Sequence, residues 1–355
     1  MIPYWVFFVL VAVIALGTNA APASLAPNVR RDGWLGWLAM FVALTLFVGL
    51  RHEVGADWKT YETHYFDMQG ADFVEVLQRA DPAYYLLTWL SVHLDGGVYL
   101  VNLICAGAFG WGLIAFCRVL PQPWLAFAVA TPYLITVVAM GYTRQGVAIG
   151  LAMLAMAAFT RGKVMRYLAW VAVAATFHKS AVLLLPIAAL AAPRYRLLTA
   201  SVTAAVTAAL YVWLLEDSVK ALSKNYLEAE YGSEGALVRV MMNALPALVV
   251  VLGYKRMKIS PAERNLWLVL AALSLLMPVA LWVSSSSTAV DRVALYMIPI
   301  QLVGLASLPQ ILGAGRASQL WTVAAVGYSF LVLFVWLNFA AHAFAWIPYQ
   351  SWLFL

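Results

Sequence analysis

Long apolar segments follow one another along almost the whole chain, and short polar stretches separate them. Most are close to the length of about 20 residues that a helix needs to cross a bilayer. Of the 355 residues, 64% are hydrophobic and only 11% are charged, and the mean hydropathy is +0.85. A soluble protein needs a more polar surface to cover its core. The sequence therefore predicts an all-α protein, a polytopic transmembrane helical bundle that forms one integral membrane domain over residues 1–355.

The lengths of the apolar segments predict ten to twelve spans. The number falls below twelve if two of the short segments between residues 144 and 193 form one broken helix or a re-entrant pair. The segments are 2–19, 33–50, 97–117, 123–141, 144–160, 164–177, 179–193, 196–215, 237–254, 265–283, 291–309 and 318–341.

The charged residues are divided unevenly between the two sides of this bundle. If the N-terminus lies outside, the inward loops carry 13 of the 22 cations and two of the 16 anions. The positive-inside rule predicts this asymmetry, and the opposite orientation would invert it. The membrane topology thus accounts for the excess of cations over anions, so this excess does not indicate a nucleic-acid partner. The inward cations are Arg30, Arg31, Arg118, Arg161, Lys163, Arg166, Arg194, Arg196, Lys255, Arg256, Lys258, Arg264 and Arg316.

Two of the outward loops are large. Residues 51–96 are acidic and rich in aromatic side chains, and they contain the apolar stretch PAYYLLTWLSVHL. This stretch is too short to span a bilayer, so we expect a helix at the membrane interface or one that dips into the bundle. The second loop, 216–236, has apolar residues at helical spacing and is predicted to form a surface helix.

Several charged residues lie at the outward ends of predicted spans, where polar groups usually line a cavity or pair with one another. An arginine at such a position also snorkels to lipid headgroups in many proteins, and a lone histidine is often a satisfied interfacial residue. Asp291 and Arg292 are also compatible with a local salt bridge. The outward residues are Arg51, Arg144, His178, Lys179, Asp291 and Arg292, with Asp57 following Arg51.

This set of side chains suits one kind of ligand. Guanidinium groups donate two parallel hydrogen bonds to phosphate oxygens and stay charged, so several arginines at one cavity favour a lipid diphosphate. A neighbouring carboxylate accepts a proton from an attacking hydroxyl. Aromatic rings in the outward loop stack on sugars. No metal is predicted, because neither HExxH nor paired-cysteine spacing occurs, and no cofactor motif is found.

Five motifs in order resemble the EpsG-type family of exopolysaccharide and capsule polymerases, which are functional relatives of the Wzy polymerases. They are RHEVGADWKTY, DPAYYLL, GYTRQGVAIG, FHKSAVLLLP and the DR of AVDRVALY, between about residues 45 and 300. Two positions depart from the family pattern: Asp81 stands where a glutamate is usual, and Ala83 stands where a glycine is usual.

The resemblance implies a glycosyltransferase of the bacterial inner membrane that joins repeat units on the periplasmic side. In such polymerases the growing glycan moves from its undecaprenyl diphosphate to the non-reducing end of an incoming lipid-linked unit. A GT-C-like architecture is a candidate, and a chain-length regulator is a candidate partner. No metal or other cofactor is implied for a lipid-linked donor.

We predict the following roles. Asp57 is the first choice for the general base, with His178 and Asp291 as rivals. Diphosphate binding is assigned to Arg51, Arg144, Arg292 and Lys179, and glycan binding to Tyr61, Asp81 and Gln145. A single in-line displacement would invert the anomeric centre.

Other functions are compatible with the same pattern. An O-antigen-type ligase or another lipid-linked glycosyltransferase would differ only in its acceptor. A lipid-linked oligosaccharide flippase or other transporter would need charges near the bilayer midplane, whereas these charges lie at outward span ends. A membrane O-acyltransferase that uses His178 would not need so many arginines.

Overall fold

The structure, a computed structural model, describes residues 1–20, 33–192, 195–215, 235–284, 286–313 and 315–355. Within them the chain is almost entirely helical, which confirms the predicted all-α polytopic bundle. The first half contains α1 (Ile2–Ala20), α2 (Trp34–Gly49), α3 (Trp58–Asp67), α4 (Phe73–Leu77), α5 (Pro82–His93), α6 (Gly97–Cys117), α7 (Pro123–Ala130) and α8 (Thr143–Thr160). The second half contains α9 (Val164–Phe177), α10 (Leu185–Ala191), α11 (Arg196–Leu210), α12 (Ala236–Gly253), α13 (Pro261–Val283), α14 (Ser287–Leu295), α15 (Pro299–Leu312) and α16 (Arg316–Phe339).

Each of the apolar segments found in the sequence corresponds to a helix or to a pair of helices. Among the described residues, six helices have the length and hydropathy of a membrane span, namely α6, α8, α11, α12, α13 and α16. The bent pair of α14 and α15 makes a seventh span if it is counted as one. Five shorter apolar stretches of 10–17 residues remain: Ile2–Thr18 within α1, Trp34–Gly49, Pro123–Ala139, Val164–Phe177 and Lys179–Ala191.

Helix α8 is the most deeply buried of the long helices, because small residues let its neighbours approach closely. A Cβ added to Gly112 of α6 would lie 1.8 Å from the carbonyl oxygen of Gly150 in α8. A Cβ added to Gly150 would lie 2.5 Å from the Cα of Phe109. Backbone contact of this kind is typical of helix pairs in membranes, where van der Waals packing drives association. The packing fixes α8, whose first turn carries Arg144.

Helix breaks bring the motif residues to one end of the bundle. The π-helical turns of Thr131–Ala139 end shortly before a non-helical residue, Tyr142, and α8 then begins at Thr143. Likewise α9 ends at Phe177, His178 is extended, and a 3-10 helix begins at Lys179. Breaks free backbone groups at membrane depth, which is tolerated where protein or a cavity satisfies them.

The first large loop forms three short helices rather than one. The stretch PAYYLLTWLSVHL forms α5, and α3 and α4 precede it. Before them a two-residue strand, β1 (Arg51–His52), pairs in an antiparallel manner with β2 (Gln350–Ser351) near the end of the chain. This pairing was not foreseen from the sequence. Most of the second predicted loop, residues 216–234, lies outside the described residues.

The close approach of α6 and α8 predicts a large penalty for any side chain at Gly112. Gly112→Ala should lower the apparent melting temperature of the purified protein in detergent, because overpacking in a core costs about 1–3 kcal/mol. Gly327→Ala in α16 is the matched control, since a Cβ there meets no atom within 4 Å. An unchanged melting temperature for Gly112→Ala would contradict the packing.

Candidate active site

Asp81 lies where three motifs meet, although they are far apart in sequence. The residue is buried, at 2% exposure. Arg144 Nη1 donates a 2.9 Å hydrogen bond to Asp81 Oδ2, and the backbone N–H of Lys179 donates one of 3.2 Å to Oδ1. His178 Nδ1 lies 3.8 Å from Oδ2. The carboxylate therefore links the DPAYYLL, GYTRQ and FHK motifs.

The local backbone explains how these groups reach Asp81. Asp81 immediately precedes Pro82, which occupies the first turn of α5, a position that proline favours. The N–H of Lys179 can donate to Asp81 because Lys179 opens a 3-10 helix, whose first N–H groups do not bond within the helix. The guanidinium of Arg144 also lies over the ring of Tyr84, 5.8 Å from its centroid.

The surroundings of Asp81 stabilise its charged form. Burial alone would raise the pKa of this carboxyl, but its interaction with His178, the charge on Arg144 and the N–H of Lys179 outweigh burial. The pKa of Asp81 is therefore below its ordinary value, and the group is ionised at neutral pH. A carboxylate held in this way is better suited to orient Arg144 than to accept a proton.

The surroundings of Asp57 shift its pKa in the opposite direction from that of Asp81. Asp57 is half-buried just before α3, and burial raises its pKa above the ordinary value, while the charges on Arg292 and Arg144 act in the other direction. Both arginines thus lie near this carboxylate. Gly55 sets the approach of the loop: its φ is +105°, and a Cβ there would lie 2.4 Å from the carbonyl oxygen of Met140. Only glycine tolerates this combination.

Tyr61 lies beneath these groups rather than on an open surface. It is buried in α3, and burial, followed by the charge on Asp57, raises the pKa of its hydroxyl to about 12. It is therefore a neutral phenol at any physiological pH. The structure places it among Asp57, Arg144 and Tyr84, where it supports the site.

Arg292 reaches the same site from the other half of the chain. Gln145 Nε2 donates a 2.7 Å hydrogen bond to the backbone carbonyl of Arg292, which fixes that residue beside the first turn of α8. The side chain of Arg292 is exposed. Gln145 is buried, so its amide links α8 to α14 and does not face an open space.

Asp291 is engaged by an arginine that sequence reasoning missed. Arg239 Nε and Nη2 donate to its two carboxylate oxygens at 2.7 and 2.8 Å, a bidentate pair that is mostly buried. A cation inside the apolar segment of α12 is itself a signal, because charges within a span usually have a partner. Asn243 of the same helix donates to the carbonyl of Ala294 at 2.8 Å. These contacts hold the pair of α14 and α15, which is bent by 52°.

Arg51 does not join the other arginines at the site, contrary to expectation. It is 1% exposed, and its nitrogens donate to protein groups: Nη1 to the carbonyl of Val48 at 2.7 Å, Nε to that of Val54 at 3.1 Å, and Nη2 to Thr143 Oγ1 at 2.6 Å. The space beside it is too small for a water molecule. Arg51 thus ties the Asp57 loop to the start of α8, and in this conformation it has no open face for a diphosphate.

Two further observations concern ligands. A groove of about 680 Å³ lies between α1, α2 and residues 349–355, and none of the predicted site residues lines it. No group of three histidine, cysteine or carboxylate side chains that could hold a metal ion occurs in the part of the chain that the structure describes. Metal independence remains a prediction.

A family model for the EpsG family matches residues 34–351, which is most of the chain. The chain belongs to the EpsG family. A search of curated proteins and a search of solved structures find no match. The match contains every motif named above and extends to Ser351, the strand partner of Arg51. The predicted family is therefore confirmed, whereas the roles of individual residues and the GT-C-like architecture stay predictions.

The lowered pKa of Asp81 has a consequence for stability. An ionised Asp81 stabilises the folded protein above the ordinary aspartate pKa of about 3.9, and this contribution is lost as the pH falls through the lowered folded-state pKa. Asp81→Asn should therefore lower the melting temperature at pH 7, and its difference from wild type should shrink below about pH 4. Thermal unfolding in detergent across a pH series measures this.

Asp72→Asn provides the control, because Asp72 is exposed. It should leave the melting temperature unchanged at every pH. A melting-temperature difference between Asp81→Asn and wild type that is the same at pH 7 and at pH 3 would contradict the electrostatic origin.

Proposed function

We propose that this member of the EpsG family is a polysaccharide polymerase that joins repeat units carried on undecaprenyl diphosphate at the periplasmic face of the inner membrane. The family supports a polymerase-type glycosyltransferase, and the apolar helices support a multi-pass membrane protein. The uneven distribution of cations supports a site that faces outward. Its substrates are a lipid-linked oligosaccharide donor and acceptor, with a chain-length regulator as a further candidate partner.

One observation carries the proposal: Arg144 and Arg292 come from opposite halves of the chain and meet at the first turn of α8, where Gln145 next to Arg144 donates to the backbone carbonyl of Arg292. The charges of both arginines reach the half-buried carboxylate of Asp57. Two guanidinium groups with a carboxylate within reach match a reaction in which a diphosphate leaves while a hydroxyl loses its proton. Arg144 is oriented by Asp81 through a single nitrogen, so its other donors remain for a ligand.

The proposed reaction is one displacement at the anomeric carbon of the donor sugar. Asp57 accepts the proton of the acceptor hydroxyl, whose oxygen forms the new glycosidic bond. The bond between the anomeric carbon and the phosphate oxygen breaks, and the diphosphate leaves with the electron pair. Arg144 and Arg292 stabilise the charge that develops on the leaving group. Attack opposite the leaving group inverts the configuration.

The rival bases are less suitable in this geometry. Both oxygens of Asp291 accept hydrogen bonds from Arg239, so this carboxylate is engaged within the protein. His178 lies beside the carboxylate of Asp81. We assign Lys179 and His178 to the polar wall around the leaving group, with Asp81 as the residue that orients them.

A gene deletion distinguishes the polymerase from its alternatives. Loss of a polymerase leaves single repeat units on the lipid carrier in the periplasmic leaflet, and loss of a ligase leaves long chains that are not attached to their acceptor. Loss of a flippase strands single units in the cytoplasmic leaflet. We expect the first result when lipid-linked glycans are extracted and sized. Long unattached chains would replace the proposal with the ligase function.

Bidentate phosphate binding predicts that lysine cannot replace the arginines. Arg144→Lys and Arg292→Lys should each reduce polymer formation by about 10²–10³-fold at equal protein amounts, because a lysine lacks the planar pair of donors. The matched control is Arg166→Lys, since Arg166 is exposed in α9. An arginine that only snorkels to headgroups would tolerate the change, so full activity of Arg144→Lys would contradict this role.

The assignment of Asp57 as the general base predicts how the reaction rate depends on pH. Only ionised Asp57 accepts a proton, so the rate should fall as the pH decreases through its pKa, which burial raises above the ordinary value of about 3.9. Arg292→Gln removes a charge that lowers this pKa, so the fall in rate on the acid side should move to higher pH. Initial rates of glycan extension, measured in membranes over a pH series, show this shift. An Asp57→Asn variant with wild-type activity would exclude Asp57 as the base.

A further inference from the structure

The chain that follows α16 turns back onto the loops that carry the site. Its residues 345–351, here called the return segment, end in the strand β2. Ser351 pairs with Arg51 and Gln350 pairs with His52. Nothing in the sequence indicated that these residues are near the motifs, because 300 positions separate Arg51 from Ser351. The return segment also lies within the family match.

The return segment holds the loop that ends at Asp57. Gly55 lies two residues before Asp57, and its backbone N–H donates a 2.8 Å hydrogen bond to the carbonyl of Ala345. On its other side Gly55 packs against the carbonyl of Met140. The loop is therefore held at two points. The strand pairing fixes its start, and close to Asp57 it lies between the return segment and the break that precedes α8.

The same segment holds the break that precedes Arg144. Trp346 is 1% exposed, and its Nε1–H donates a 2.7 Å hydrogen bond to the carbonyl of Thr136 in the π-helical turns. Its ring covers Gly141: a Cβ at that position would lie 2.6 Å from the ring atom Cζ2. The hydroxyl of Tyr4 donates to the carbonyl of Trp346 at 2.7 Å, which anchors the segment to α1.

We propose that Trp346 is a positioning residue, through which the return segment holds Asp57 and Arg144 at the distance that glycosyl transfer requires. The inference rests on the proposed function, because it assigns those two residues their roles. Asp57 immediately precedes α3 and Arg144 lies in the first turn of α8, so both are next to helix breaks, where hydrogen bonding within a helix is incomplete. A supporting residue that is itself locked by packing provides that precision, and a misplacement of about 1 Å can cost about 100-fold in rate.

Accessibility of the Asp57 position tests this directly and does not depend on the reaction. In an Asp57→Cys background, a water-soluble thiol reagent should label the new cysteine faster when Trp346→Phe is added. The phenylalanine keeps an apolar ring but leaves the carbonyl of Thr136 without its donor. We expect at least about a fivefold increase in the labelling rate, the factor for one hydrogen bond of about 1 kcal/mol. The native Cys105 and Cys117 are buried.

Activity provides the second measurement. In an otherwise wild-type protein, Trp346→Phe should reduce polymer formation at least about tenfold at an equal amount of folded membrane protein. Trp282→Phe is the matched control, since Trp282 is 88% exposed at the end of α13. It should change neither the labelling rate nor the amount of polymer.

The outcomes separate this inference from the proposed function. An unchanged labelling rate overturns the role of the return segment, and so does faster labelling with full activity. A loss of polymer that only follows a loss of folded protein also overturns it, because a structural role would suffice. If Asp57→Asn is active, the base assignment fails instead, and the labelling comparison still decides whether Trp346 holds the loop.

Discussion

The site depends on one buried carboxylate that must be neutralised. Asp81 is removed from water, and an unpaired charge there would cost several kcal/mol. Arg144 and the backbone of Lys179 satisfy it, and His178 lies beside it. Because these partners come from two separate helix breaks, the pairing determines how the segments assemble. A cation that is oriented in this way keeps part of its guanidinium for a ligand, which links the stability of the fold to the chemistry of the site.

Breaks in the helices place these groups together. A continuous helix uses its own carbonyl and N–H groups, whereas a broken one leaves some for other partners. The carbonyls of Thr136, Arg292 and Ala294 all accept hydrogen bonds from side chains of distant segments. The polar end of the bundle is thus built from backbone groups as much as from charged side chains, and both kinds of contact hold the residues proposed to act on the substrate.

The helices could be predicted from the sequence because apolar runs of span length have few alternatives. The position of Arg144 and His178 at outward span ends also predicted that they share a site, but their meeting at Asp81 was not predicted. The environment of Arg51 could not be predicted: an arginine that binds a diphosphate and one that binds backbone carbonyls have the same sequence pattern, and only the partners distinguish them. Arg239 was missed although its position inside an apolar segment was a usable signal. The return segment left no signal, because its contacts are made mainly by backbone groups and by one tryptophan among many.

The central claim is that Arg144 and Arg292 bind the same diphosphate. Calorimetric titration of the purified protein with a short-chain polyprenyl diphosphate tests it, using wild type, Arg144→Ala, Arg292→Ala and the double variant. Each single change should weaken binding by about 10–100-fold, as expected for a lost charge-assisted hydrogen bond. The double variant should show coupling between the two positions rather than simple addition. Wild-type affinity in either single variant would contradict a shared site.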